Sequence, residues 1–300
     1  MDRGRYFTRR ALRILPLDTL VVLAAAALYA KRPADMVRAI PWLLFLQSFG
    51  WGYDFRGISG VWWTLATEVQ FYLLLPLLPA LARGRLGVVL LAIFAGTYAI
   101  FAAGLVTRWV GLAGAATLSL SVIGRSPLLL CGIGAAGIHA WWGDDLRARW
   151  AALGRHRRLV ADVLLVLVLL VLAILLRWAV AAGLVVVELP RLVTWHILEG
   201  LLWASVLLLL LLAPGGLARL FTSAPLVSLG VISYSVYLLH FPALVFSLGW
   251  LQQVGWGVRG WGLPAACAVI GIAVVCLAVS TATYYGIERP AQSWRPRTSA

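Results

Sequence analysis

Long apolar runs recur along the whole chain and constrain its fold more than any other feature. A helix needs about 20 apolar residues to cross a bilayer, and most of the runs approach or exceed that length. One of them, 37–50, is shorter and contains Pro41, so it could be tilted, broken or re-entrant. The apolar segments lie near 14–31, 37–50, 62–82, 86–107, 126–142, 159–182, 192–213, 226–249 and 262–285.

The composition agrees with this pattern, because 62% of the 300 residues are hydrophobic and only 12% are charged. A soluble domain cannot bury that much apolar surface. We therefore predict an all-α fold, a polytopic transmembrane helix bundle of about 8–10 membrane segments, some of them short or broken. The sequence shows no linker and no second soluble region, so we expect a single domain over residues 1–300.

The net charge of +14 comes almost entirely from arginine, since Lys31 is the only lysine. These arginines are spread through the loops, which favours a topology signal over nucleic-acid binding. The loop 143–158 is the largest polar break, and we predict that it is cytoplasmic. Counting segments from it places both the basic N-terminus and the C-terminal tail inside. We expect the bacterial inner membrane, with anionic lipid headgroups or a phosphorylated substrate as partners, and no metal site.

Glu68 is the one acid in the apolar stretch 60–82. A carboxylate inside a bilayer is costly, so such a residue usually faces the bundle interior or a wet cavity. Thr64, Glu68 and Tyr72 are spaced i, i+4, i+8 and therefore share one helix face. This spacing fits two interpretations of Glu68 equally well. Glu68 could be part of a functional site, or it could pair with an arginine to dock one helix against another.

A second polar stripe consists of Ser233, Tyr237 and His240, spaced i, i+4, i+7 on one face. His240 lies inside an apolar helix just before the kink expected at Pro242. Histidine titrates near neutrality and can act as an acid or a base. The alternative is a histidine that is hydrogen-bonded to a neighbouring helix.

Arg10 and Arg13 stand one turn apart near the start of the first apolar segment. Two guanidinium groups on one face can bind a phosphate, although they can also simply anchor the topology. His196 and Glu199 are spaced i, i+3 near one end of another segment. They could form a metal or proton site, but a polar contact between helices is the simpler interpretation.

Four stretches, read together, resemble the acyltransferase-3 family of polytopic membrane O-acyltransferases. The stretches are "FTRRALRILP" (7–16), "WWTLATEVQFYLLLPL" (62–77), "LGVISYSVYLLHFP" (229–242) and "IERP" (287–290). The R-x-x-R pair of the family falls on Arg10 and Arg13. Its tryptophan-led helix is matched by Trp63, Glu68, Gln70, Phe71 and Tyr72, with Thr64 in place of serine. Its "S-Y-x-x-Y-L-x-H" helix is matched by Ser233, Tyr234, Tyr237 and His240.

The resemblance implies transfer of an acyl group, often acetyl, from cytoplasmic acyl-CoA to a hydroxyl of a sugar or of an exported or surface glycan. On this hypothesis Glu68 and His240 are the catalytic residues, and Arg10 and Arg13 bind the donor. Trp63, Thr64, Tyr72, Ser233 and Tyr237 would support them. Acyl-CoA would be a substrate, and no tightly bound cofactor is expected.

The family pattern also includes one or two helices before the R-x-x-R element, the first with a histidine regarded as the base. This chain begins almost at Arg10, so relative to the family it is expected to be truncated at its N-terminus. Two alternatives therefore stand beside the acyltransferase. One is a proton-coupled transporter or flippase that uses Glu68 and His240 as a relay, and the other is a catalytically inactive fragment.

Overall fold

The computed structural model is helical throughout its described part and contains no β-strand there. The described residues are 3–47, 58–77, 120–181, 189–256 and 262–294, with Arg85 and a few residues between 87 and 96. In chain order the α-helices are α1 (Arg3–Tyr29), α2 (Ile40–Leu43), α3 (Trp63–Leu74), α4 (Val122–Ala151), α5 (Arg157–Ala181), α6 (Leu189–Leu212), α7 (Ala218–Phe221), α8 (Ala224–Val231), α9 (Ser233–Gln253), α10 (Leu263–Thr283) and α11 (Arg289–Ser293).

Shorter helical pieces complete these elements. Three 3₁₀-helices cover Pro33–Ala39, Leu75–Leu77 and Gly154–His156, and a π-helical turn, Tyr284–Glu288, joins α10 to α11.

Six helices of the described part are long and apolar enough to cross a membrane, which confirms the predicted all-α polytopic fold. The protein is therefore an integral membrane protein. The predicted segment 37–50 is broken, because α2 is only four residues long and Phe45 adopts a φ of 56°. The predicted segment 86–107 lies mostly outside the described residues. The six spans are Arg3–Tyr29, Val122–Ala151, Gly154–Ala181, Trp195–Leu212, Ser233–Gln253 and Leu263–Ser293.

The helices form two compact units, the first comprising residues 1–66 and 227–300 and the second comprising residues 67–226. In the first unit α1 packs against α9 and against the end of the chain from the π-helical turn to α11. In the second unit α4 packs against α6, and α6 also packs against α5. A single domain over residues 1–300 stays a prediction.

Pro242 interrupts the hydrogen bonds of α9, and the first unit compensates for it. Proline has no N–H, so the carbonyl of Leu238, four residues earlier, loses its helical donor. The indole Nε1 of Trp62 donates to that carbonyl oxygen over 2.8 Å. Because an unsatisfied carbonyl inside a membrane costs several kcal/mol, this bond makes the proline tolerable and fixes Trp62 against α9.

The start of α4 is held by polar side chains of the second unit. The first N–H groups of a helix have no partner within the helix. The backbone N–H of Val122 donates to Oε1 of Gln70 over 3.0 Å, and that of Ile123 donates to Oγ of Ser121 over 3.2 Å. The hydroxyl of Thr67 donates to the carbonyl of Leu120 over 2.8 Å. Gln70, a residue of the tryptophan-led motif, therefore has a structural role here.

Helices α4 and α6 approach closely at Gly200. A Cβ placed there would lie 2.9 Å from Sγ of Cys131 and 3.1 Å from Cα of Leu128. Only a hydrogen atom fits that space, which is the usual role of small residues between membrane helices.

We expect Gly200→Ala to destabilise the protein by about 1–3 kcal/mol, the usual range for overpacking a core. Gly132→Ala is a matched control on α4, because a Cβ at Gly132 meets no atom within 4 Å. The control should be neutral or slightly stabilising, since alanine favours helix more than glycine does. Thermal unfolding of the purified variants in detergent measures both, and equal midpoints would contradict the close approach.

Candidate functional site

The R-x-x-R pair lies in the first half of α1. The guanidinium of Arg10 stacks over the ring of Tyr6, with 5.6 Å between Cζ and the ring centroid. Arg13 is exposed, and the next residue, Ile14, is buried. The hydroxyl of Tyr234 on α9 donates to the carbonyl of Ile14 over 2.8 Å, so the motif on α9 fixes the backbone beside Arg13.

Glu288 is one of the two buried acids of the first unit among the described residues, with Asp18, and it keeps only 1% of its surface exposed. It lies at the end of the π-helical turn, and π-bulges often occur at functional sites. The hydroxyl of Ser235, itself fully buried, donates to Oε1 of Glu288. Oγ1 of Thr283 lies 3.1 Å from Oγ of Ser235. Arg13 is the positive charge that acts on this carboxylate.

Sequence reasoning missed Glu288 and Ser235 as site residues. The signal was present, since Glu288 is part of "IERP" and Ser235 stands within the motif on α9. Helical spacing alone favoured Ser233, which the structure places exposed at the first position of α9. The serine that reaches a charged partner is the one two residues further along.

Thr64 and Tyr237, both predicted supporting residues, meet in the first unit. The hydroxyl of Thr64 hydrogen-bonds the hydroxyl of Tyr237, which in turn donates to the carbonyl of Val61. This link joins the start of α3 to the second turn of α9. The neighbouring Trp63 is half-buried.

Glu68, the main predicted catalytic residue, lies on the part of α3 that belongs to the second unit. It is exposed within the described part of the chain. The hydroxyl of Tyr72, one turn later, lies 3.5 Å from Oε2 of Glu68. Two members of the predicted stripe, Glu68 and Tyr72, therefore contact each other, whereas Thr64 binds Tyr237.

His240 is half-buried on α9, and its hydrogen bonds define its tautomer. Its Nδ1 lies 2.8 Å from the carbonyl oxygen of Tyr237 and 3.1 Å from that of Val236. A carbonyl only accepts hydrogen bonds, so Nδ1 carries the hydrogen and Nε2 keeps the lone pair. The ring also stands 6.2 Å from the ring of Tyr237. The contacts of Nδ1 thus hold the ring of His240 in one orientation.

A second polar cluster lies in the second unit, at the ends of α4 and α6 that are remote from the loop 143–158. Nδ1 of His196 lies 3.2 Å from Oε2 of Glu199 and 3.4 Å from Nη1 of Arg125. The indole of Trp195 donates to the same carboxylate oxygen over 3.1 Å, and its ring stacks on Trp178 at 6.1 Å. Glu199 only accepts and Arg125 only donates, so Nδ1 of His196 can hydrogen-bond one of them at a time.

The predicted pair His196 and Glu199 is therefore joined by a cation, Arg125, that the spacing did not reveal. Nε2 of His196 is buried without a hydrogen-bond partner among the described residues. No group of three metal-ligating side chains is assembled anywhere in the described ranges. The contacts favour a polar connection between α4 and α6 over a metal site.

The model of the acyltransferase-3 family, described as an acyltransferase domain, matches residues 1–285. This match covers nearly the whole chain, so the protein belongs to the acyltransferase-3 family of membrane acyltransferases. It is an acyltransferase that transfers groups other than aminoacyl groups. No curated protein and no solved structure matches the chain.

We expect Ser235→Ala to destabilise the first unit by about 1–3 kcal/mol, because it leaves the buried Glu288 carboxylate without its hydroxyl donor. Ser233→Ala, on the exposed start of the same helix, is the matched control and should change nothing. Thermal unfolding of both variants in detergent gives the comparison. Equal destabilisation by the two substitutions would show that the Ser235–Glu288 bond has no special weight.

We expect Arg125→Met to lower stability by about 1–3 kcal/mol, the usual cost when a partly buried polar group loses its partner, because Glu199 loses the nearby positive charge and keeps only 18% of its side chain exposed. The double variant Arg125→Met/Glu199→Gln should recover part of the loss, since glutamine still accepts from Trp195 without a charge. Denaturation of both purified variants tests this. A double variant less stable than the single one would contradict the charge pairing.

Proposed function

We propose that this membrane acyltransferase moves an acyl group, chiefly acetyl, from cytoplasmic acyl-CoA to a hydroxyl of a sugar or of an exported or surface glycan. The observation that carries the proposal is the pair of contacts that Nδ1 of His240 makes with backbone carbonyls, because they orient the ring and leave Nε2 to act as the base on a motif of the family. A sugar hydroxyl is a weak nucleophile at neutral pH and needs such a base as it attacks.

The proposed reaction has a single transfer. The hydroxyl oxygen of the acceptor attacks the carbonyl carbon of the thioester while Nε2 of His240 takes its proton. The carbon–sulfur bond then breaks, the thiolate of CoA leaves, and the proton passes from His240 to that thiolate. The products are the acyl ester and CoA, so no oxidant, reductant or metal is required. Donors near the developing oxyanion would lower the barrier further.

Arg10 and Arg13 are proposed to bind the phosphates of the donor. Arg13 suits this role because it is exposed while its counter-charge, Glu288, is buried. A buried acid can hold a guanidinium in place and still leave its outer N–H groups for a phosphate. Glu288 is therefore a positioning residue for Arg13 in this proposal.

Glu68 is proposed as the second catalytic residue, which orients a base or holds an arginine. Tyr72 supports it through the hydroxyl 3.5 Å away. Thr64 and Tyr237 fix α3 against α9 near His240, and Trp63 and Ser233 flank these positions. Membership of the acyltransferase-3 family favours this reaction over a proton-coupled transporter or flippase, although Glu68 and His240 would also suit a proton relay.

The proposed orientation follows from the donor. Acyl-CoA is made in the cytoplasm, so the arginines that bind it should lie on that side of a bacterial inner membrane. The loop 143–158 and the C-terminal tail are proposed to face the same side, as their excess of arginine indicates. The end of the tail, residues 295–300, lies outside the described residues.

The test is transfer of a labelled acetyl group from acetyl-CoA to endogenous glycan in membranes that contain the full chain. We expect His240→Ala to lower kcat by about 10²–10⁴, the usual contribution of a general base. Arg13→Ala should instead raise the KM for acetyl-CoA, and Arg13→Lys should rescue it only in part. Glu68→Gln should keep the fold and lose most transfer.

His156→Ala, in the exposed loop, is the matched control and should keep full activity. Thermal stability of every variant separates loss of chemistry from loss of folding. A His240→Ala variant that folds and transfers at the normal rate would refute the assigned base. Incorporation of no label by the unaltered chain, at normal expression, would refute acyl transfer to glycan itself.

A further inference from the structure

Four arginines surround two adjoining cavities at the end of the second unit that carries the loop 143–158. The larger cavity, about 530 Å³, is lined by Arg158 and Arg219. The smaller, about 480 Å³, is lined by Arg155, Arg157 and again Arg158. Both volumes fall in the range of small-molecule sites. Arg158 is common to both cavities, so they form one basic recess.

The charge of the recess is not paired by carboxylates among the described residues. Within the described part of the chain, no carboxylate forms an ion pair with any of these four arginines. Arginines that serve only to keep a helix end in water do not need to line a cavity. Four uncompensated guanidinium groups around a preformed recess instead favour an anion, and their planar N–H groups match phosphate best.

Part of the wall of the larger cavity is a turn, residues 214–216, that hydrogen bonds hold in place. Both carboxylate oxygens of Asp162 are occupied by backbone N–H groups, Gly216 at 3.0 Å and Leu217 at 2.9 Å. A Cβ at Gly215 would lie only 2.0 Å from Oδ1 of Asp162, so the turn requires glycine there. Asp162, the acid that shapes this turn, thus has both oxygens engaged by the backbone beside Arg158 and Arg219.

Part of the lining of the larger cavity is apolar and exposed. Leu211 and Phe221 line the larger cavity and keep 54% and 45% of their surfaces exposed. Leu211 lies in the last turn of the spanning segment Trp195–Leu212, so this wall lies at the membrane boundary. A phosphate in the recess would therefore have hydrocarbon next to it.

We propose that this recess binds the phosphate of an anionic phospholipid, with the guanidinium groups of Arg158 and Arg219 on the headgroup and the acyl chains along Leu211 and Phe221. Basic pockets between membrane helices commonly hold such headgroups. A soluble phosphate compound offers the same anion without the chains, and the apolar wall favours the lipid.

The experiment titrates phosphatidylglycerol and phosphatidylcholine onto the purified full chain in detergent and counts bound lipids by native mass spectrometry. We expect one preferred phosphatidylglycerol. Arg158→Gln/Arg219→Gln should weaken it about 25-fold, at about fivefold per arginine near a membrane surface, and leave phosphatidylcholine unchanged. Arg158→Lys/Arg219→Lys keeps the charge and should retain most of the preference.

Arg3→Gln/Arg149→Gln removes the same charge from exposed positions that line neither cavity, and it should keep the unaltered affinity. If this control loses as much affinity for phosphatidylglycerol, the effect is one of net charge, and the proposed binding site is wrong. If the glutamine variant keeps its preference for phosphatidylglycerol, the proposed site is also wrong. The lysine variant changes the same two positions, so lipid binding by it shows that substitution there does not by itself unfold the protein. Inorganic phosphate and CoA are added as competitors. A competitor that displaces phosphatidylglycerol, and that also binds the unaltered chain directly but not the glutamine variant, would assign the recess to a soluble phosphate compound. That result would overturn the proposal of a lipid site.

Discussion

A polar group that lies in hydrocarbon must find its partner within the protein, and most of the described contacts follow from this constraint. Pro242 removes a donor from α9, and the indole of Trp62 replaces it at the carbonyl of Leu238. The N–H of Val122 at the start of α4 has no helical partner, and Gln70 accepts from it. These bonds are worth little in water but several kcal/mol in a membrane, because no solvent competes for the groups.

The same constraint explains why the polar residues of this chain form chains of contacts. Ser235 satisfies Glu288, Thr283 approaches Ser235, and Arg13 supplies the opposing charge. Each member offsets the free-energy cost of burying the polar group before it. A single substitution therefore leaves a neighbouring polar group without a hydrogen-bond partner. A network of this kind holds its members in fixed positions. Such positions are also what catalysis needs, because an oriented group loses no entropy when it reacts.

The sequence predicted the fold well because apolar length is a direct consequence of the bilayer. It predicted the polar partners less well, because helical spacing identifies which residues share a face but not what lies opposite them. Thr64 and Tyr237 were assigned to separate stripes, and the structure joins them. Arg125 gave no signal in the spacing of His196 and Glu199, since it comes from another helix. Ser235 was missed for the same reason, because its partner Glu288 is 53 residues away.

The arginines of the chain differ in what neutralises them, and this difference separates their roles. The charge of Arg13 acts through space on the buried carboxylate of Glu288. Arg125 lies beside Glu199 and His196, where an isolated charge would be too costly to bury. Arg158 and Arg219 line one cavity. Asp162 shapes the turn in its wall, but both of its carboxylate oxygens already accept hydrogen bonds from the backbone. Because no described carboxylate pairs with these two arginines, anions from outside the protein are the natural partners of their charge, and lipid headgroups are the anions that a membrane boundary supplies.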